Sequence, residues 1–236
     1  MNDLYVEELW RYPVKSLRGE RLEAEYVAPD GVRGDRLVHV QDRGGLITAR
    51  THPGLLGLGA TLRDDGVALV EGLPWWDPRA DSAVKAAAGP DAELVPDDGP
   101  ERFDVLPLLV ATDGAIEAFG QDRRRLRPNI VIGGVDGLAE RSWEGRLLRV
   151  GELLVLLHSL RGRCIVTTYD PDTLEQDVGV LRDIARRFRG RLALNAAVLT
   201  PGPVRVGDRV EVLDVGPEHH RLLDTTWLAV SPGGGR

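Results

Sequence analysis

The first third of the chain runs in short alternating or β-branched segments separated by turn residues, a pattern that antiparallel strands satisfy and long helices do not. Residues 37–41 and 46–49 flank Asp42-Arg43-Gly44-Gly45, which predicts a hairpin. Residues 58–62 and 67–70 flank Asp64-Asp65-Gly66, where the Asp-Gly step suits a tight reversal. From about residue 77 to 102 the chain is rich in Ala, Asp, Pro and Gly, with Gly89-Pro90 and Gly99-Pro100 as breakers. That stretch reads as a connection between two lobes, interrupted by a short helix over 83–88.

Beyond it, Thr112 or Asp113 caps a helix running to about Phe119, because either side chain can accept from an exposed N–H of the first turn. Strands are predicted over 129–132, 147–150, 153–157 and 165–168. Residues 180–189 place Val180, Leu181, Ile184 and Phe188 near one face, with basic residues late and Gly190 beyond, which predicts an amphipathic helix. Strands over 192–199 and 210–213 follow. The stretch from about 216 ends in Ser231-Pro232-Gly233-Gly234-Gly235-Arg236 and is expected to be mobile. No 20–50-residue repeat is evident. The expected fold class is α+β, dominated by sheet, and 236 residues suffice for one large domain or two small ones sharing a core.

Thirty Lys and Arg against 37 Asp and Glu give a net charge of −7, so no chain-wide attraction to nucleic acid or an anionic membrane is expected, and any anion site must be local. No signal peptide is evident, and the longest apolar run, residues 153–157, is far shorter than a membrane helix. A soluble, cytoplasmic protein is expected. There is no P-loop, no dinucleotide loop among Gly54, Gly57 and Gly59, and no zinc-protease histidine pair among His39, His52, His158, His219 and His220. His219-His220 reads as a solvated pair, Trp75-Trp76 as a core-and-rim pair, and Arg123-Arg124-Arg125 as a solvated flank. The acidic pairs Asp64-Asp65 and Asp97-Asp98 read as turn residues.

The sole cysteine, Cys164, excludes an intramolecular disulfide, a four-thiolate zinc site and a self-contained iron–sulfur cluster. A free cysteine is often a small buried hydrophobe. Here it follows Arg163, a cation that favours the thiolate, the form that binds soft metals or attacks sulfur.

The segment Arg163-Cys164 with Asp170-Pro171-Asp172-Thr173 is also the strongest of an ordered set of blocks. The others are Tyr12-Pro13-Val14-Lys15-Ser16, Gly34-Asp35-Arg36, Thr48-Ala49-Arg50, Leu126-Arg127-Pro128-Asn129-Ile130-Val131, Ser142-Trp143, Val150-Gly151 and Val206-Gly207-Asp208. In that order the chain resembles the MOSC family, in the branch of the mitochondrial amidoxime-reducing component and its bacterial relatives, over residues 4 to about 213.

The resemblance implies a MOSC-type β-barrel, closed or partly closed, with flanking helices, spanning 101–215. It also implies a smaller N-terminal β-rich lobe over 1–100, leaving 216–236 as a C-terminal extension. It implies a molybdenum cofactor in the cleft between the lobes, with Cys164 as the catalytic ligand to the metal. Lys15, Ser16 and Arg36 would grip pterin or phosphate, and Arg127, Asn129, Arg163 and Asn195 would line the cofactor. The implied activity is reduction of N-hydroxylated substrates such as amidoximes, hydroxylamines and N-hydroxylated bases. Some bacterial relatives carry an added ferredoxin-like domain; this chain ends too early for one. The expected electron source is therefore a separate ferredoxin, haem protein or flavoprotein reductase. Two rival readings stay open: a sulfur carrier holding a persulfide on Cys164, and a module that binds or delivers the cofactor without turnover. Two departures from the family pattern are visible. Thr112-Asp113-Gly114-Ala115 stands where many relatives carry a Ser-Leu pair, which is expected to alter a pterin contact. Leu174 replaces a common glycine, so residues 174–178 are expected to reshape the substrate mouth.

Overall fold

The computed structural model describes residues 3–97, 99 and 102–216. In chain order it begins with β1 (Tyr5–Arg11), β2 (Glu20–Leu22), β3 (Ala24–Ala28), β4 (Gly31–Val32), β5 (Val38–Asp42) and β6 (Gly45–Ile47). Then come β7 (Ala60–Leu62), β8 (Ala68–Val70), β9 (Leu73–Pro74), α1 (Pro78–Ala88), β10 (Glu93–Pro96), β11 (Leu108–Thr112) and α2 (Asp113–Phe119). The rest comprises β12 (Ile130–Gly133), β13 (Leu147–Val150), β14 (Leu153–Gly162), α3 (Val178–Phe188), β15 (Arg191–Thr200), β16 (Gly202–Arg205) and β17 (Val210–Leu213).

Eight strands form the main sheet in the order β17-β13-β14-β15-β11-β12-β1-β2. Its one parallel pair is β11 with β12, and the crossover that parallel pairing demands carries α2. The sheet curls until its ends meet. Val6 N donates to Asp208 O at 2.9 Å and Val210 N to Leu4 O at 2.8 Å, while Tyr5 and Arg209 form an isolated bridge. That contact spans only a few residues, so the described strands make a curled sheet and not a closed barrel. The curl encloses Val6, Leu9, Val110, Ile130, Val155 and Leu157, all at zero exposure. On the opposite face α2 and α3 cover Ala111, Val131 and Leu192 with Ile116, Phe119, Ile184 and Phe188. A separate core under α1 joins Val14, Leu17, Val40, Leu55, Val70 and Val84.

Both predicted hairpins form, as β5–β6 and β7–β8. α1 begins earlier than predicted, because Asp77 accepts from Arg79 N at 2.8 Å and Pro78 is preset for a first turn. Thr112 caps α2 by accepting from Ala115 N at 3.2 Å. α3 starts two residues early, capped by Asp177. The predicted strand over 165–168 is a correction: Ile165–Thr168 is a 3-10 turn. Thr167 Oγ1 donates to Cys164 O at 2.8 Å and Thr168 Oγ1 to Ile165 O at 2.6 Å, local bonds that compete with a sheet ladder.

Trp75 packs partly buried on the core under α1, while Trp76 is 57% exposed and meets it edge-on at 5.5 Å. No helix among the described residues is long and apolar enough to cross a membrane. His219-His220 and the expected mobile tail beyond Gly216 lie outside the described residues.

Candidate functional site

A cleft brings together all eight residues singled out from the sequence: Lys15, Ser16, Arg36, Arg127, Asn129, Arg163, Cys164 and Asn195. Arg163 and Cys164 leave the end of β14, and the Cys164 carbonyl is held by Thr167 N at 3.1 Å and the Thr167 hydroxyl, which fixes the half-buried residue at the head of the 3-10 turn.

Lys15 and Ser16 sit on the turn after β1, tied to β5 by Lys15 N donating to Val38 O at 2.8 Å. Ser16 Oγ accepts from Ala49 N at 3.0 Å. Ser16, Arg36 and Arg127 have φ of 74°, 52° and 56°. Left-handed backbone is costly for residues with a Cβ, and its concentration on this wall is typical of a functional site.

The side chains are held as well. Arg36 pairs with the fully buried Asp35, whose other oxygen accepts from Tyr12 N at 2.7 Å. Arg127 donates to Leu17 O at 2.7 Å and stacks on the Tyr12 ring at 4.4 Å. Arg163 Nη2 donates to Leu126 O at 2.8 Å, while its Nε is buried with no hydrogen-bond partner. Asn129 splices strands: its Oδ1 accepts from Leu109 N at 3.1 Å and its Nδ2 donates to Trp10 O at 3.4 Å. Asn195 accepts from Arg161 Nη1 at 3.2 Å and donates to Ser159 O at 3.3 Å.

Three charged lining residues had no role assigned from sequence: Arg50, Arg161 and Asp104. Arg161 was findable, since it lies two residues before Arg163 in extended chain and so shares its face. Asp104 carries no local signal. With them the lining has, among the described residues, six cations, Lys15, Arg36, Arg50, Arg127, Arg161 and Arg163, and one carboxylate. Asp104 lies 3.5 Å from Lys15 Nζ, 3.2 Å from Arg50 and 2.8 Å from Arg161. Burial alone would raise its pKa, but Lys15, Arg161, Arg50 and Arg36 hold it below the usual carboxylate range. Burial, then the charge of Arg161, pulls Arg163 down to about 10. Burial raises the Tyr12 hydroxyl.

Arg123-Arg124-Arg125 is not a solvated flank. A 3-10 turn sends the three side chains to different carboxylates: Arg123 to Glu7 and Glu8, Arg124 to Asp122 and Asp172, and Arg125 to Asp170 at 3.0 Å. Arg125 also donates to Thr167 O at 3.3 Å and thereby grips the turn after Cys164. Residues 112–115 do not line the cleft. Asp113 accepts instead from Gly134 N and Val135 N, and a Cβ on Gly114 would run into the backbone carbonyls of Val135 and Gly137. Leu174 is not in the lining either. It has φ of 59°, and its side chain packs on Gly57.

Two family models match: the MOSC N-terminal beta barrel domain over residues 3–78 and the MOSC domain over 114–211. Mitochondrial amidoxime-reducing component 1 of Mus musculus is 26% identical, and that of Homo sapiens 25%; each alignment covers 88% of this chain and 82% of the relative. The YUAD protein from Bacillus subtilis shares the fold with a TM-score of 0.50 at 14% identity, covering 92% of this chain and all of that one. The chain therefore carries a MOSC N-terminal beta barrel domain followed by a MOSC domain and belongs among the MOSC proteins, homologous to the mitochondrial amidoxime-reducing components.

Proposed function

We propose that this protein is a molybdenum-cofactor-dependent reductase of N-hydroxylated compounds, with Cys164 as the protein ligand to the metal. The observation that carries the reading is a lone half-buried thiol in a cleft lined by six cations and one carboxylate, in a chain of net charge −7. Among the described residues no cluster of three His, Cys, Asp or Glu side chains could hold a bare metal ion. The donor set suits a group that brings its own sulfur ligands and an anionic phosphate, and needs one soft thiolate from the protein. Arg163 Nε, buried without a partner, is an orphaned donor that a polar ligand would satisfy.

In this reading Lys15, Ser16, Arg36 and Arg127 hold phosphate and pterin by charge-assisted bonds, with Arg163, Asn129 and Asn195 completing the wall. The residues come from both the 1–100 lobe and the 101–215 lobe. When bound, the cofactor supplies two-electron chemistry that removes oxygen from an N-hydroxylated substrate. Cys164 anchors and is not a nucleophile. The cations offset the negative charge of the bound group, and Arg125 steadies the turn after the thiolate. Electrons come from a separate donor protein, a ferredoxin, haem protein or flavoprotein reductase.

The test is metal and pterin analysis of protein made in cells that synthesise the cofactor, followed by benzamidoxime reduction with a chemical electron donor. Bound molybdenum and pterin, with activity lost in a folded Cys164→Ala variant, are expected. Absence of both, or unchanged reduction by Cys164→Ala, overturns the assignment. A persulfide on Cys164 without pterin would instead make it a sulfur carrier, and bound cofactor that never cycles would make it a delivery module.

A further inference from the structure

A second, smaller pocket lies behind the cleft and shares Arg127 and Val166 with it. Its walls include three aromatic rings, Trp10, Tyr12 and Tyr169, and its charged lining is arginine, with no carboxylate among the described residues. The arginines differ in how far their charge is already met. Arg124 is met by Asp122 and Asp172, both at 2.7 Å, and Arg125 by Asp170. The Arg127 side chain donates to the Leu17 carbonyl and lies over the Tyr12 ring, and it forms no ion pair among the described residues. Arg18, exposed at the pocket's edge, has no carboxylate within ion-pair distance among the described residues, although its charge reaches Asp172. The Nε of Arg125, a side chain 8% exposed, is buried with no hydrogen-bond partner.

Rings that can stack, two arginines with no carboxylate at ion-pair distance and a buried unsatisfied donor together define a ligand of one chemical type: planar, aromatic and anionic. From this geometry we infer that the pocket is a binding site for an aromatic carboxylate, with the ring against Trp10 and Tyr169, the buried Tyr12 forming the floor under Arg127, and the carboxylate toward Arg18 and Arg127. A cation is disfavoured, because no acid lines the pocket. An aliphatic acid would keep the charge contact and lose the stacking. Arg127 also stands in the proposed cofactor wall, so the two sites share that one side chain, but Arg18, Trp10 and Tyr169 line this pocket alone and neither Cys164 nor a bound cofactor enters the inference.

The probe is benzoate, followed by ligand-observed NMR or tryptophan fluorescence on the full chain purified without cofactor. Saturable benzoate binding is expected, with benzamidine silent and cyclohexanecarboxylate weaker. Arg18→Gln, an exposed change, should weaken benzoate about threefold to fivefold without moving the melting temperature. Tyr169→Leu should weaken it about threefold to tenfold. Cys164→Ala should bind benzoate as the parent does, which separates this site from the proposed reductase. Equal binding of benzamidine overturns the proposal. So does benzoate binding that is untouched by Arg18→Gln but lost in Arg50→Gln, which would put the ligand in the larger cleft.

Discussion

Arg161 and Asp104 form an ion pair of 2.8 Å that joins the end of β14 to the loop ahead of β11. Asp104 also reaches Lys15 and Arg50, so one carboxylate ties three segments of the cleft wall. Its side chain is 39% exposed, so water screens much of this attraction, and Asp104→Asn is expected to cost about 1 kcal/mol at neutral pH. The folded pKa is depressed, so the stabilisation is fully present above the unfolded value of about 4 and lost as pH falls through the lower folded value. Urea denaturation should show parent and variant diverging at pH 7 and converging toward pH 2. A gap that stays constant would remove Asp104 from the acid response.

Arg125 should control how tightly the Cys164 turn is held. It is buried against Thr167 O and Asp170, so Arg125→Ala leaves the Thr167 carbonyl without its donor and Asp170 without its cation. The expected cost is about 2 kcal/mol, below that of a fully buried pair because Asp170 is 35% exposed. Arg125→Lys should recover only part of it, since an ammonium lacks the planar fork that reaches both acceptors. Cys164 is the sole thiol, so its labelling rate with an aromatic disulfide reports on this turn alone. Labelling should quicken in Arg125→Ala; an unchanged rate would show that the grip does not constrain the thiol.

Much of this molecule can be read from local sequence. The β5–β6 and β7–β8 hairpins follow from Gly-containing turns between alternating segments, and the capping of α2 by Thr112 follows from a side chain placed to meet the first-turn N–H groups. What could not be read is what depends on convergence. Lys15 and Asp104 lie 89 positions apart and meet only once the sheet has curled. Arg123-Arg124-Arg125 reads as a solvated run because three like charges stand side by side, yet the 3-10 turn fans them toward carboxylates from β1 and from the loop after Cys164. The segment after Cys164 has the β-branched composition of a strand, and its threonine hydroxyls turn it by bonding carbonyls three residues back.

Leu174 holds a left-handed backbone that glycine adopts without cost. At φ of 59° a leucine carries strain of about 1–2 kcal/mol, offset here by packing on Gly57. Leu174→Gly relieves the strain and loses the packing, so its net effect should stay within about 1 kcal/mol. A Cβ on Gly57 would stand 3.0 Å from Leu174 Cδ1, so Gly57→Ala should cost up to about 1 kcal/mol alone, less as far as the leucine tip swings aside. With Leu174→Gly in the same chain that cost should vanish. A double variant whose losses simply add would show that the two positions do not share this contact.

Glu140 gives the opposite pH response from Asp104. It is wholly buried, accepts from the Thr112 hydroxyl at 2.8 Å and from Ala193 N at 3.2 Å, and burial raises its pKa despite both bonds. Because the folded pKa lies above the unfolded value of about 4.3, the folded state loses stability as pH rises between the two, and the deficit persists above the folded value. Glu140→Gln keeps an oxygen for Ala193 N, but its amide N–H then faces Thr112 Oγ1, whose own hydroxyl proton loses the acceptor it had on Glu140, so the amide trades one buried hydrogen bond against removal of the charge. The stability of the variant relative to the parent should therefore rise from pH 4 to pH 8, because only the parent carries an ionised buried carboxyl at the higher pH. Glu140→Ala should be destabilising at both pH values by about 1–3 kcal/mol, because the buried Ala193 N–H is left without an acceptor. Paired urea titrations at pH 4 and pH 8 decide it: a Glu140→Gln difference from the parent that is independent of pH would mean that the buried carboxyl is not the group whose ionisation costs the fold.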